Sequence, residues 1–137
     1  MRNRTLARLP AVLALVLAAC PGNEEPGSVV VTVGRSSLDG SAQTTDVRVT
    51  VLDDKYQAGT GTVHLKAKAG DFAGKGNEID LTLQQGKAST TYGCDRASIP
   101  ECTGTVRIEA TWKDVVATTT VVISPPDAGT GGTDGGP

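Results

Sequence analysis

From Val29 onward the chain alternates apolar and polar residues with a period of two, the spacing of strands that bury one face. Residues 29–33 form the first such run. Over 46–52, Val47, Val49 and Val51 share one face while Arg48 and Thr50 share the other. Residues 61–69 repeat the pattern with Val63, Leu65 and Ala67 inward and His64, Lys66 and Lys68 outward. Over 78–83, Ile79, Leu81 and Leu83 oppose Asp80 and Thr82; 88–92 is a shorter strand. Over 105–112, Val106, Ile108, Ala110 and Trp112 alternate with Arg107, Glu109 and Thr111, and Val115–Ile123 is the last strand. Residues 34–43, with the turn signal Asp39-Gly40, and the stretches 70–77 and 84–87 read as loops and turns. No segment carries helical periodicity of useful length. Seven short strands with turns between them predict an all-β, immunoglobulin-like β-sandwich over residues 28–124.

Composition agrees. Valine and threonine are abundant, and Phe72, Trp112, Tyr56 and Tyr92 are the only aromatics. Branched side chains suit a pleated, half-buried surface, so the core is expected to be thin and aliphatic. Ala128 is the only apolar side chain between Asp127 and Pro137. The segment 125–137 therefore lacks the apolar surface to offset its ordering entropy and is expected to be disordered.

The N-terminus has a different pattern. Arg2, Arg4 and Arg8 precede the apolar stretch 11–19, the layout of a secretory signal. Residues 10–19 are too few to cross a bilayer, which takes about 20 apolar residues. The segment ends in Leu17-Ala18-Ala19-Cys20, which resembles the lipobox of bacterial lipoproteins. In that family the cysteine is lipidated and the chain is cut before it. The resemblance implies a signal over 1–19, a lipid on Cys20, and a partner that is the membrane itself. A plain secretory signal ending by chance before a cysteine is the alternative. Pro21 stands where an aspartate would favour inner-membrane retention, so the outer membrane, on its periplasmic or surface face, is the expected location. Residues 20–27 read as a short tether.

Removing 1–19 leaves 118 residues, and the thirteen Lys and Arg fall to ten against fifteen Asp and Glu. A chain with an acidic excess and no cationic cluster is not built for nucleic acid. Once Cys20 is assigned to lipid, Cys94 and Cys102 remain as a pair in an oxidising compartment, where a disulfide is expected; free thiols are the alternative. A metal would need further ligands, and the only histidine is His64. No metal or other cofactor is expected.

The stretch 47–112 resembles bacterial immunoglobulin-like domains of the invasin and intimin type. The likeness rests on the alternating run 47–52 ending at Asp53-Asp54, the run 63–70 closing on Ala69-Gly70, Gly86-Lys87-Ala88 entering a strand, and Gly104 before Val106-Arg107-Ile108-Glu109-Ala110. Two features depart from it. The acidic turn lacks the usual Gly and Pro, and the segment 94–102 is an insertion. The resemblance implies a sandwich used as a spacer or recognition module, with no catalytic residue.

Several residues suggest chemistry and are outweighed by simpler roles. His64 lies among outward lysines without a nucleophile motif. Asp53-Asp54 has too few oxygens for calcium. Asp95 and Glu101 make a weak acid pair. The run 70–76 lacks the Gly-Lys-Ser/Thr ending of a phosphate loop. No enzyme is expected. The sharper candidate is the stapled loop 94–102, with Asp95, Arg96, Ile99 and Glu101 as binding residues around Pro100, since a constrained loop loses less entropy on binding. Its partner would be an envelope or surface protein or a glycan. The expected function is that of a lipid-anchored envelope lipoprotein whose Ig-like domain is a structural or interaction module. The alternative is an anchored protein that captures a small ligand, a glycan or an attacking enzyme.

Overall fold

A computed structural model describes residues 25–125. The signal 1–19, Cys20, tether residues 20–24 and the tail from 126 lie outside the described residues. The strands are β1 (Pro26–Val33), β2 (Ser37–Leu38), β3 (Thr44–Asp53), β4 (Thr62–Ala67), β5 (Asp71–Phe72), β6 (Glu78–Thr82), β7 (Lys87–Gly93), β8 (Gly104–Trp112) and β9 (Val115–Ile123). They form two sheets of order β1-β3-β7-β5 and β2-β9-β8-β4-β6. With β1, β3, β7 and β5 in the A, B, E and D places and β4, β8 and β9 in the C, F and G places, this is the immunoglobulin arrangement with β2 and β6 added at its margins.

Alternation gives the core. Val47, Val49 and Val51 from β3 face Val63, Leu65, Val106, Ile108, Ala110 and Val121 from the second sheet, and all are buried. Each fully buried aliphatic side chain is worth about 1.5–3 kcal/mol relative to exposure. The seven expected strands are all present, with ends shifted by a few residues.

The differences lie at the margins. The sequence pattern makes 34–43 and 70–77 loops, yet each contains a two-residue strand. Leu38 and Phe72, one in each, are fully buried. A single anchored apolar residue is too short a signal for periodicity to detect. Pro26 and Gly27, read as tether, already belong to β1: Pro26 stands opposite Asp53, with a register shift before Ser28. Gly27 permits this because a Cβ there would lie 2.9 Å from the Asp54 nitrogen.

Large side chains close the core at its two ends. At one end Phe72 packs on Tyr92 with ring centroids 5.3 Å apart, and the Tyr92 hydroxyl donates to the Ala69 carbonyl at 2.7 Å. At the other, the Trp112 indole N–H donates to the Thr60 carbonyl at 2.9 Å. Gly70 lies against the Tyr92 ring, where a Cβ would come within 2.6 Å of two ring carbons, and its φ is +97°.

Gly70→Ala therefore combines left-handed strain with a steric clash. Gly61→Ala has the strain alone, since φ is +91° and nothing lies within 4 Å of its Cβ position. Urea denaturation is expected to show a loss of about 1 kcal/mol for Gly61→Ala and at least about 2 kcal/mol for Gly70→Ala.

Burial pushes the Tyr92 phenol up from its ordinary 10.0 to about 12. The folded chain holds that proton more tightly than the unfolded chain does. Its contribution to stability is complete below pH 10 and is lost as pH rises towards 12. Over that window the urea midpoint of the wild type is expected to fall more steeply than that of Tyr92→Phe; parallel curves would contradict this.

Candidate functional site

The strand register gives the domain two poles. Pro26 lies beside Asp53 at one end of β3, and Thr44 lies beside Gly93 at the other. The ten residues of β3 separate them by about 30 Å. The loop 94–102 follows Gly93 and therefore caps the pole opposite the start of β1. Ser124 ends at this same pole, its N–H donating to the Leu38 carbonyl at 2.8 Å.

The Cys94 and Cys102 sulfurs are bonded, with Cα atoms 5.3 Å apart and the two cysteines eight positions apart in sequence. Both cysteines are buried and pack in the core. The bridge therefore closes the bottom of the loop against the end of the sandwich, with its sulfurs out of contact with solvent.

The four candidate binding residues differ in how they are held. Arg96 turns inward: its Nε–H donates to the Cys102 carbonyl at 3.3 Å and its Nη2 to the Ser124 carbonyl at 3.4 Å. Its backbone N–H also donates to the Gly40 carbonyl at 2.9 Å. It ties three segments together, so its charge is not offered to a partner. Asp95 is half-buried and accepts from the Ala97 N–H at 2.9 Å and the Ser98 hydroxyl at 3.4 Å, which commits its carboxylate to the loop's own turn. Ile99 is half-buried against the core. Glu101 and Pro100 are exposed. The sequence indicates that this loop is constrained, but it does not show which of its side chains are used up in constraining it.

Two open grooves flank Ile99. One, of about 270 Å³, runs between Asp95-Ser98-Ile99 and the Ser41–Thr44 side. The other, of about 400 Å³, runs between Ile99 and Glu101 and the Lys68, Gly70 and Asn77 side. Asp39 borders the pole; the Ser41 hydroxyl and N–H hold its carboxyl below the usual carboxylate range. A larger open groove, of about 610 Å³, lies away from this pole, between Arg48, Thr50, Lys87 and Ser89 and the Thr82 and Gln84 side. None of the three is an enclosed apolar cavity of the kind that holds a drug-sized ligand.

The remaining candidates resolve into local structure. The His64 Nδ1 pairs with Asp80 Oδ1 at 2.7 Å, but its other nitrogen faces Glu78 at 4.0 Å. A carboxylate in that position is no nucleophile for the ring to activate. Lys66 bonds the same Glu78 at 2.9 Å; the shared hydrogen bond raises the lysine pKa and lowers that of the glutamate. Asp53 is buried and its Oδ1 accepts from the Lys55 and Gln57 amides at 2.9 and 2.8 Å. That carboxylate is committed to its own turn. In the run 70–76 the Asp71 carboxylate accepts from the Gly74 and Gly76 amides, taking the donors a phosphate would need. Among the described residues no cluster of three or more His, Cys, Asp or Glu could hold a metal.

Arg96→Ala removes the clamp over a buried bridge. It is expected to lower stability by about 1–2 kcal/mol through two unpaired carbonyls, read as a shift in the urea midpoint, whereas Glu101→Ala leaves that midpoint within about 0.5 kcal/mol.

Comparison with protein-family models, curated proteins and solved structures finds no match to this chain.

Proposed function

We propose that this chain is a lipid-anchored lipoprotein of the bacterial cell envelope, resident in the outer membrane, whose Ig-like sandwich is a structural or protein-interaction module. The lipid joins Cys20, and the domain carries the stapled 94–102 pole away from the membrane. The observation that best supports this is the separation of the poles. The chain enters at Pro26, beside Asp53, while Cys94 follows Gly93 beside Thr44 at the far end of β3. An anchor on Cys20 lies six residues before Pro26, at most about 20 Å of extended chain. The entry pole would then face the lipid, and the Cys94–Cys102 loop would face outward.

An interaction module also fits the surface better than capture of a small ligand does. The grooves are open to solvent and none is an enclosed cavity, and the sheets retain open edges, as the topology requires. Open edges favour contacts between extended backbones.

The expected outcome in the native envelope is a wild-type chain in the membrane fraction whose intact mass includes acyl chains, and a Cys20→Ser chain with neither property. Protease on whole cells distinguishes the faces: cleavage near 97–101 before the envelope is breached means surface display, and protection means the periplasm. A soluble wild-type chain without acyl mass overturns the reading.

A further inference from the structure

Tyr56 is 86% exposed, more than any other large hydrophobic side chain among the described residues; Val116, Val30 and Val122 follow at 54%, 53% and 43%. Its backbone is left-handed, with φ at +61°, a conformation that residues with a Cβ rarely hold unless their surroundings impose it. Here Asp53 imposes it. The buried Asp53 carboxylate accepts from the Lys55 and Gln57 amides at 2.9 and 2.8 Å. The Tyr56 N–H donates to the Asp53 carbonyl at 3.1 Å, and the Asp53 N–H to the Gln57 carbonyl at 2.9 Å. These bonds through Asp53 fix the turn 53–57, so the ring stands outward on a rigid support.

The turn stands where the chain enters the domain. The Asp54 N–H donates to the Glu25 carbonyl at 3.0 Å, and Pro26 lies opposite Asp53. Trp112, the other aromatic residue at this pole, is 1% exposed, so among the described residues Tyr56 alone presents an aromatic ring here. Asp54 and Lys55 beside it are both exposed and opposite in charge, so they neither draw the turn to a charged surface nor repel it from one. A tyrosine, with an apolar ring and a hydroxyl that stays wet, suits the boundary between hydrocarbon and water.

We propose that Tyr56 inserts its ring into the headgroup layer of the bilayer that holds the anchor, seating the domain on its entry pole. The inference rests on the lipid at Cys20 proposed above. Cys20 lies five residues before Glu25, so the lipid and this turn are separated by at most about 17 Å of extended chain. That length decides the occupant. A small folded domain is about 30 Å across, too thick to lie between the pole and the membrane, whereas the headgroup layer is within reach of a side chain on the turn. The Lys55 stem lies along the same surface with its ammonium in water. A ring seated there opposes the tilting that a single flexible attachment would allow, and so keeps the 94–102 pole pointed away from the membrane.

The test uses the lipidated chain purified from the native envelope and placed in phosphatidylcholine vesicles, with its acyl mass and its flotation with the vesicles measured first. The chain has two tyrosines, and Tyr92 is buried, so Tyr56 is the phenol open to reagents in water. Aqueous triiodide is expected to iodinate it several-fold more slowly in the anchored wild type than in soluble Cys20→Ser. In Tyr56→Trp, emission in excess of the wild type's is expected to shift to the blue and to fall when the lipid carries bromine high on its acyl chains. Glu101→Trp, at the opposite pole, is expected to keep its emission. Equal iodination rates in the anchored and soluble chains overturn the proposal while the anchor stands. So does emission of Tyr56→Trp that bromine leaves unchanged, or equal quenching of Tyr56→Trp and Glu101→Trp. A chain without acyl mass that stays out of the vesicle fraction overturns the anchor, and this proposal with it.

Discussion

The fold depends on how a thin aliphatic core is closed at its ends. Two sheets that each contribute alternate residues can exclude water from the middle with valine, leucine, isoleucine and alanine alone. At the ends the strands run out, and larger side chains are needed. Phe72 and Tyr92 fill one end and Trp112 the other, all fully or almost fully buried. Each of the last two also brings a polar atom that must be bonded, to Ala69 and Thr60 respectively. Glycines stand where these rings press on the backbone: Gly70 against Tyr92, and Gly59, where a Cβ would lie 2.9 Å from a Trp112 ring carbon. The loops at the two poles follow from these closures.

At the pole of the 94–102 loop, closure and display compete for the same residues. The buried bridge, Arg96, Asp95 and Ile99 all face inward or bond within the pole. What is left outward is Ala97, Ser98, Pro100 and Glu101, all exposed. A partner recognising this pole would therefore meet a fixed backbone shape flanked by two grooves more than a set of charged side chains. Preorganised shape lowers the entropy lost on binding, and the side-chain contacts would come from the flanks, where Lys68, Asn77 and Gln43 stand.

The strand faces could be read from the sequence because the buried positions repeat at every second residue for five or more residues. Val47-Val49-Val51 and Val106-Ile108-Ala110-Trp112 are long enough for chance to be a poor explanation. Leu38 and Phe72 are buried as deeply, but each is a single residue in a polar stretch, so β2 and β5 leave no periodic trace. The pairing of Cys94 with Cys102 was legible from number and compartment, whereas their burial was not, because it depends on which end of the sandwich the loop covers. Arg96 was misleading for a related reason. Its partners are carbonyls of Cys102 and Ser124, and a long side chain bonding to backbone leaves no complementary residue in the sequence to reveal it.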